Sequence, residues 1–124
     1  MSKAMVVDDS KAIRMILSKT LAEFGYEVCE AANGREALVV FEREKDSISL
    51  VLVDWNMPQM DGLEFVKELR ADPRHSSVIL MMVTTETEVE QMVRALEAGA
   101  NEYVMKPFTK EIIADKLRML GVVQ

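Results

Sequence analysis

Four apolar runs in this chain each end at a polar residue able to do chemistry. Leu50–Val53 leads into Asp54, Ala4–Val7 into Asp8 and Asp9, Val78–Val83 into Thr84, and Tyr103–Met105 into Lys106. A fifth, mixed run covers Tyr26–Glu30. Between the runs, apolar residues recur at intervals of three and four, the period of a helix packed on one face. The chain therefore reads as strand then helix, five times over.

The first helix is expected to start after Ser10, a good cap, and to bury Ile13, Ile16, Leu17, Leu21 and Phe24 before Gly25. The second starts at Asn33, with Glu36 at capping-box spacing, and turns Ala37, Leu38 and Phe41 inward. The third follows Gly62 with Phe65, Val66 and Leu69, and Pro73 bars its continuation. Thr87-Glu88-Val89-Glu90 reads as another capping box. It opens a fourth helix with Val89, Met92, Val93 and Leu96 on one stripe, closed by Gly99. The fifth starts at Thr109 and buries Ile112, Ile113, Leu117 and Leu120 up to Gly121. No repeat, linker or low-complexity stretch interrupts this alternation, so residues 1–124 form one expected domain.

Strand composition predicts strand position. The runs before Asp8, Asp54 and Thr84 are continuously apolar, as strands covered on both faces are. Tyr26–Glu30 alternates and Asn101–Met105 begins polar, which suits sheet edges. With right-handed crossovers, the simplest arrangement is a three-layer, doubly wound parallel sheet of flavodoxin-like (βα)5 type, with strand order 2-1-3-4-5. Its switch point falls between the first and third strands, where Asp9 and Asp54 would face each other.

Charge sharpens this picture. Like-charged groups about 4 Å apart repel by roughly 4 kcal/mol at an effective dielectric near 20, so clustered acids need a neutraliser. A hard divalent cation fits, since Mg2+ takes about six oxygens from one or two carboxylates, waters and a phosphate. Asp9 and Asp54 can supply carboxylates, with Asp8 orienting a water or its neighbour, and a carbonyl from the Trp55-Asn56-Met57 loop can fill another position. Asp8-Asp9-Ser10 also reads as a plain turn and helix cap, and Lys106 as an edge lysine. Thr84 alone is an ordinary β-branched strand end, whereas beside Lys106 it becomes a candidate phosphate ligand. Lys106 precedes Pro107, which holds its backbone extended. Magnesium-dependent phosphate chemistry is the expected activity.

Bulk composition removes other classes. A net charge of −6 argues against a nucleic-acid surface. The longest apolar run, Val78–Val83, is too short to span a bilayer. Only Ala4–Val7 precedes Asp8, too little for a signal-peptide core, so a soluble, cytoplasmic monomer is expected. Cys29 is the single cysteine and reads as a buried, inert thiol. The ten methionines read as adaptable core filler, and His75 as an exposed loop residue without a role.

Taken together, Asp8-Asp9, Val53-Asp54-Trp55-Asn56-Met57-Pro58-Gln59-Met60-Asp61-Gly62, Val83-Thr84, Ala98-Gly99-Ala100 and Tyr103-Val104-Met105-Lys106-Pro107-Phe108 resemble the receiver domain of two-component response regulators. The resemblance covers the whole chain and is to the stand-alone, CheY-like members. It implies that Asp54 accepts a phosphoryl group from a histidine kinase. It implies that Asp8, Asp9, Asp54 and the main-chain carbonyl of Asn56 hold Mg2+, that Lys106 pairs with phosphoryl oxygens, and that Thr84 donates a hydrogen bond to one. Tyr103 would rotate into space vacated by Thr84, altering the face made by the fourth helix, fifth strand and fifth helix for a downstream protein. Asn56 and Glu86 would flank the path of the hydrolytic water and tune dephosphorylation, their polarity suiting a quickly resetting switch. On this reading the chain is a signalling protein, catalysing only its own phosphotransfer and autodephosphorylation.

Two rivals stand beside it. A magnesium-dependent phosphohydrolase with an aspartyl-phosphate intermediate would resemble the haloacid-dehalogenase group, whose nucleophile sits in an Asp-x-Asp pair on the first strand. Here that strand ends Asp8-Asp9-Ser10. A phosphorylation-independent interaction module would be expected to have lost an acid, the threonine or the lysine. As for pathway, a chemotaxis role suits a single domain carrying Trp55 and Tyr103. The fourth helix opens with Glu86, Glu88 and Glu90, more acidic than in enteric chemotaxis members, although a solvated face accounts for those glutamates equally well.

Overall fold

The computed structural model describes residues 2–44 and 46–123. Strands β1 (Lys3–Val7), β2 (Glu27–Ala31), β3 (Ile48–Val53), β4 (Ile79–Thr84) and β5 (Glu102–Met105) pair in parallel, in the order β2-β1-β3-β4-β5. Between and after them run α1 (Lys11–Glu23), α2 (Gly34–Glu44), α3 (Gly62–Arg70), α4 (Val89–Ala98) and α5 (Lys110–Met119), with a 3-10 turn at Pro73–His75. The expected flavodoxin-like sheet is thus the observed one, with the apolar strands central and the mixed ones at the edges.

Successive strand side chains point to opposite faces, and each face has its own core. Met5, Val7, Val51, Val53, Leu80 and Met82 pack under α2, α3 and α4. Ala4, Val6, Leu50, Leu52, Met81 and Val83 pack under α1 and α5, through Leu17, Leu21, Ile113 and Leu117. Burial on both faces is why Ala4–Val7, Leu50–Val53 and Leu80–Val83 carry no polar residue, whereas Lys3 and Ser49 lie near the strand starts. Cys29 on β2 is half-buried, and burial pushes its thiol up to about 11, as an inert group should behave.

The helix starts follow local chemistry. Ser10 accepts from the Ile13 N–H and Thr109 from the Ile112 N–H. Asn33 accepts from Glu36, and Asp61 and Glu64 form a reciprocal capping box on α3. The capping box expected at Thr87 is not formed: Glu88 is the N-cap of α4 and makes no side-chain cap bond.

Several burial expectations also fail. Ile16 and Ile112 lie exposed, and Val89, Val93 and Leu96 are 71%, 43% and 43% exposed. On α4 the buried contact is Ala95, about 120° round the helix from Val89. α4 lies against the edge strand β5 and has less sheet to cover, so its larger apolar stripe faces sideways. His75 is the opposite case. Its ring packs edge-on against Phe41 with centroids 4.8 Å apart, and its side chain is only 12% exposed.

Gly62 fixes how α3 leaves the site. A Cβ there would sit 2.1 Å from the Asp54 carbonyl oxygen, and the Gly62 N–H donates to the Trp55 carbonyl at 2.9 Å. Gly62→Ala is expected to lower unfolding free energy by about 3 kcal/mol or more in urea denaturation. Gly25→Ala, at a φ of 93° with open space around it, should cost about 1–2 kcal/mol. Equal losses would show that the close approach at Gly62 is not what excludes a side chain.

Candidate functional site

Strand register brings the site together. Val7 stands beside Val53, and Thr84 beside Met105, so the residues that follow each strand end meet at one edge. The Asp54 N–H donates to the Val7 carbonyl at 2.9 Å, and the Lys106 N–H to the Thr84 carbonyl at 2.7 Å. Asp8, Asp54 and Thr84 are buried, while Asp9 is exposed. Carboxylate oxygens of Asp8, Asp9 and Asp54 all lie within 4.8 Å of one another.

Lys106 joins two of these acids. Its Nζ donates to Asp8 Oδ2 at 2.8 Å and to Asp54 Oδ2 at 3.3 Å. The Lys106–Pro107 peptide bond is cis. Asp8 Oδ1 accepts from the Ser10 N–H at 2.9 Å. Asp54 Oδ1 is different: it is buried and has no hydrogen-bond partner among the described residues. A buried, ionised oxygen without a partner is costly, and its charge would be offset by a cation beside it.

Burial is the main cause raising the Asp54 carboxyl above its ordinary value. The Asp8 charge adds to it, while Lys106 and the nearby Thr84 hydroxyl oppose it. For Lys106, burial pulls the ammonium down, but the hydrogen bond to Asp8 and the charges of Asp54 and Asp8 outweigh it, leaving a net rise. Burial likewise raises the Tyr103 phenol, with Glu86 and Asp54 adding.

Thr84 and Tyr103 meet through one residue. The Glu86 N–H donates to Thr84 Oγ1 at 3.4 Å, and Tyr103 Oη donates to the Glu86 carbonyl at 2.8 Å. Tyr103 is buried, so its ring lies inward and its hydroxyl holds the loop that follows Thr84. Asn56 lies exposed on the loop after β3. That loop turns tightly: Gln59 has a φ of 68°, and the Met60 N–H donates to the Pro58 carbonyl at 2.9 Å. The Gly34 N–H pins it at the Met60 carbonyl, 3.0 Å away.

Two participants escaped the sequence reading. Arg14 donates to the Asp8 carbonyl at 2.7 Å and to Glu30 at 3.1 Å, bracing the acid-bearing turn against β2. Arg94 on α4 stacks over Trp55, its guanidinium carbon 5.7 Å from the ring centroid. An arginine one turn into a helix that follows an acid pair was a legible hint for the first. Nothing local pointed to the second.

With this geometry in view, residues 4–118 match the family model described as the response regulator receiver domain. The chain belongs to that family. The chemotaxis protein CheY1 of Helicobacter pylori is 42% identical over 119 residues, 95% of each chain. A CheY homolog of Campylobacter jejuni is 41% identical over 116 residues, 93% of this chain and 88% of that one. The solved structure of the response regulator CheY4 of Vibrio cholerae is similar with a TM-score of 0.88 at 38% identity, covering 97% and 98% of the two chains. These matches make this receiver domain a homologue of chemotaxis response regulators, signalling proteins whose domains bind Mg2+ through acidic residues. The clustered carboxylates and the orphaned Asp54 oxygen fit that ion.

The raised Asp54 value has a stability consequence. Between the ordinary carboxylate range and the raised value the folded chain binds more protons than the unfolded one, so stability falls as pH rises through that window. Ionised Asp54 therefore opposes folding at neutral pH without metal. In metal-free buffer at pH 7, Asp54→Asn is expected to raise Tm by about 2–5 °C, an advantage that shrinks toward about pH 4. Millimolar Mg2+ should narrow or reverse the difference by stabilising the wild type. A lower Tm for the variant at pH 7 without metal would contradict this account.

Proposed function

We propose that residues 1–124 form one receiver domain that works as a phosphorylation-operated switch, with Asp54 as the phosphoacceptor. The observation that carries this reading is the buried Asp54 carboxylate, tethered by Lys106 through one oxygen and left open at the other. That is the posture of a nucleophile: held in place, with one oxygen free to attack.

The donor is a phosphohistidine of a histidine kinase. An Asp54 oxygen attacks phosphorus in line, the P–O bond forms as the P–N bond breaks, and the imidazole leaves with a proton. Asp8, Asp9, Asp54 and the Asn56 carbonyl would hold Mg2+. When bound, that ion supplies positive charge against the carboxylates and the phosphoryl oxygens. Lys106 is placed to exchange its bond to Asp54 for one to a phosphoryl oxygen. The apolar hollow beside it, lined by Ile13, Ile16, Pro107 and Phe108, offers the phosphodonor a place to rest and gives the exposed Ile16 a purpose.

The modified aspartate gains charge beside existing acids, and its new oxygens attract the Thr84 hydroxyl. Thr84 moving toward them loosens its bond from the Glu86 N–H, and with it the carbonyl that holds Tyr103. Shifting a two-state domain from 1:99 to 99:1 takes about 5.5 kcal/mol. A lysine contact, a hydroxyl hydrogen bond and metal ligation are sufficient in kind to supply it. The output is a changed α4–β5–α5 face, read by a downstream protein in a chemotaxis-type pathway of the cytoplasm. Asn56 and Glu86, each two residues beyond Asp54 and Thr84, set how fast water resets the switch.

Trp55, next to the phosphoacceptor, reports on this directly. Acetyl phosphate or beryllofluoride with Mg2+ is expected to change Trp55 fluorescence in the wild type, with no change in Asp54→Asn or without Mg2+. Thr84→Ala should bind beryllofluoride yet lose the accompanying change at Tyr103, read by aromatic NMR signals. A wild-type protein whose spectra ignore both reagents in Mg2+ is not a switch.

A further inference from the structure

The output face has a chemistry of its own. On α4, Arg94 points to the Trp55 side, and Val89 lies about 140° round the helix from it. The exposed stripe of Val89, Val93 and Leu96 therefore faces away from α3, toward the open edge of the sheet at β5. Met105 is exposed on that edge strand. Across it, Lys116 of α5 reaches Glu102 at the start of β5, and Ile112, one turn before Lys116, is exposed on the same side. Exposed apolar residues of two helices and an edge strand thus lie along this side of the fold.

Its charge is one-sided. Glu90 and Glu97, seven residues apart, form a column along the solvent flank of the apolar stripe, and Glu88 caps its start. Among the described residues, no ion pair engages the side chains of these three glutamates. The nearby cations are occupied: Arg94 over Trp55, Lys106 in the acid site, Lys110 with Glu23, Lys116 with Glu102 and Arg118 with Asp115. An apolar stripe bordered by unpaired acids complements apolar residues bordered by cations.

We infer that the α4–β5–α5 surface of this protein docks a basic amphipathic segment of its target, with apolar side chains spaced i, i+3/i+4, i+7 against Val89, Val93 and Leu96 and with lysines or arginines along Glu88, Glu90 and Glu97. The inference rests on the reading of this face as the switch output and specifies what that output recognises. An acidic segment with the same apolar pattern is rejected, because its carboxylates would lie along the glutamate column. A helix laid in such a groove makes this kind of contact through one face.

The test uses two labelled synthetic helical peptides with identical leucine patterns, one with lysines and one with glutamates at the flanking positions. Binding to the full chain is read by fluorescence anisotropy with Mg2+, with and without beryllofluoride, and Trp55 fluorescence is recorded in the same samples. The lysine peptide is expected to bind about tenfold or more tightly than the glutamate peptide, less so at high salt. Glu90→Lys with Glu97→Lys should reverse the order, and Val93→Ser should weaken the lysine peptide without altering the Trp55 response. Equal binding of the two peptides, an order unchanged by the double variant, or lysine-peptide binding indifferent to Val93→Ser would overturn the inference, the last showing only general attraction to an acidic protein. A lysine preference that passes these controls but ignores beryllofluoride upholds the partner chemistry and removes the switch. A Trp55 response without any peptide preference does the reverse.

Discussion

Gathering carboxylates at the ends of parallel strands sets the terms for everything else in this molecule. The strands must be apolar to be buried on both faces, and their register places Asp8 and Asp54 side by side at the point where the winding of the sheet reverses. Two buried acids at that distance repel strongly. Lys106, delivered from the end of β5 on the far side of β4, is the protein's own answer, a single ammonium shared between both. It neutralises incompletely. The second Asp54 oxygen stays buried and unbonded, a standing electrostatic cost that a divalent cation or a phosphoryl group held by one would relieve.

That incomplete neutralisation is linked to the rest of the fold by short connections. Glu86 contacts Thr84 through its N–H and Tyr103 through its carbonyl, so one residue joins the end of β4 to the edge strand. Arg94 ties α4 to Trp55, the neighbour of Asp54. On the other side, the loop after β3 is braced at Gly34 and Gly62, where no larger residue fits. The site thus rests on close backbone packing toward α2 and α3, and on side-chain contacts toward α4 and β5.

Much of this was legible in the residues alone. The central and edge strands could be told apart because burial on two faces leaves no room for polar side chains, and Asp8, Asp54, Thr84 and Lys106 stood out because each ends an apolar run. Periodicity was a poorer guide to what a helix buries. The stripe on α4 has the right spacing for a core face, yet an edge position gives the helix less to cover, and Ala95 rather than Val89 or Leu96 faces the sheet. Ile16 and Ile112 likewise have core spacing yet lie exposed. His75 reads as a surface residue in the sequence because Phe41, which it packs against, is distant along the chain. Arg94 over Trp55 was invisible in the same way, since only the folded chain brings α4 to the loop after β3.

The central claim is that Asp54 forms a covalent bond to phosphorus under the control of a metal held by its neighbours. Incubation with a small-molecule phosphoryl donor, reductive trapping of the acyl phosphate with borohydride, and peptide mapping test it at the level of the bond itself. The account predicts trapping at Asp54 alone, dependent on Mg2+ and abolished by chelation. Trapping at another carboxylate, or none in a protein that demonstrably binds Mg2+, would contradict it.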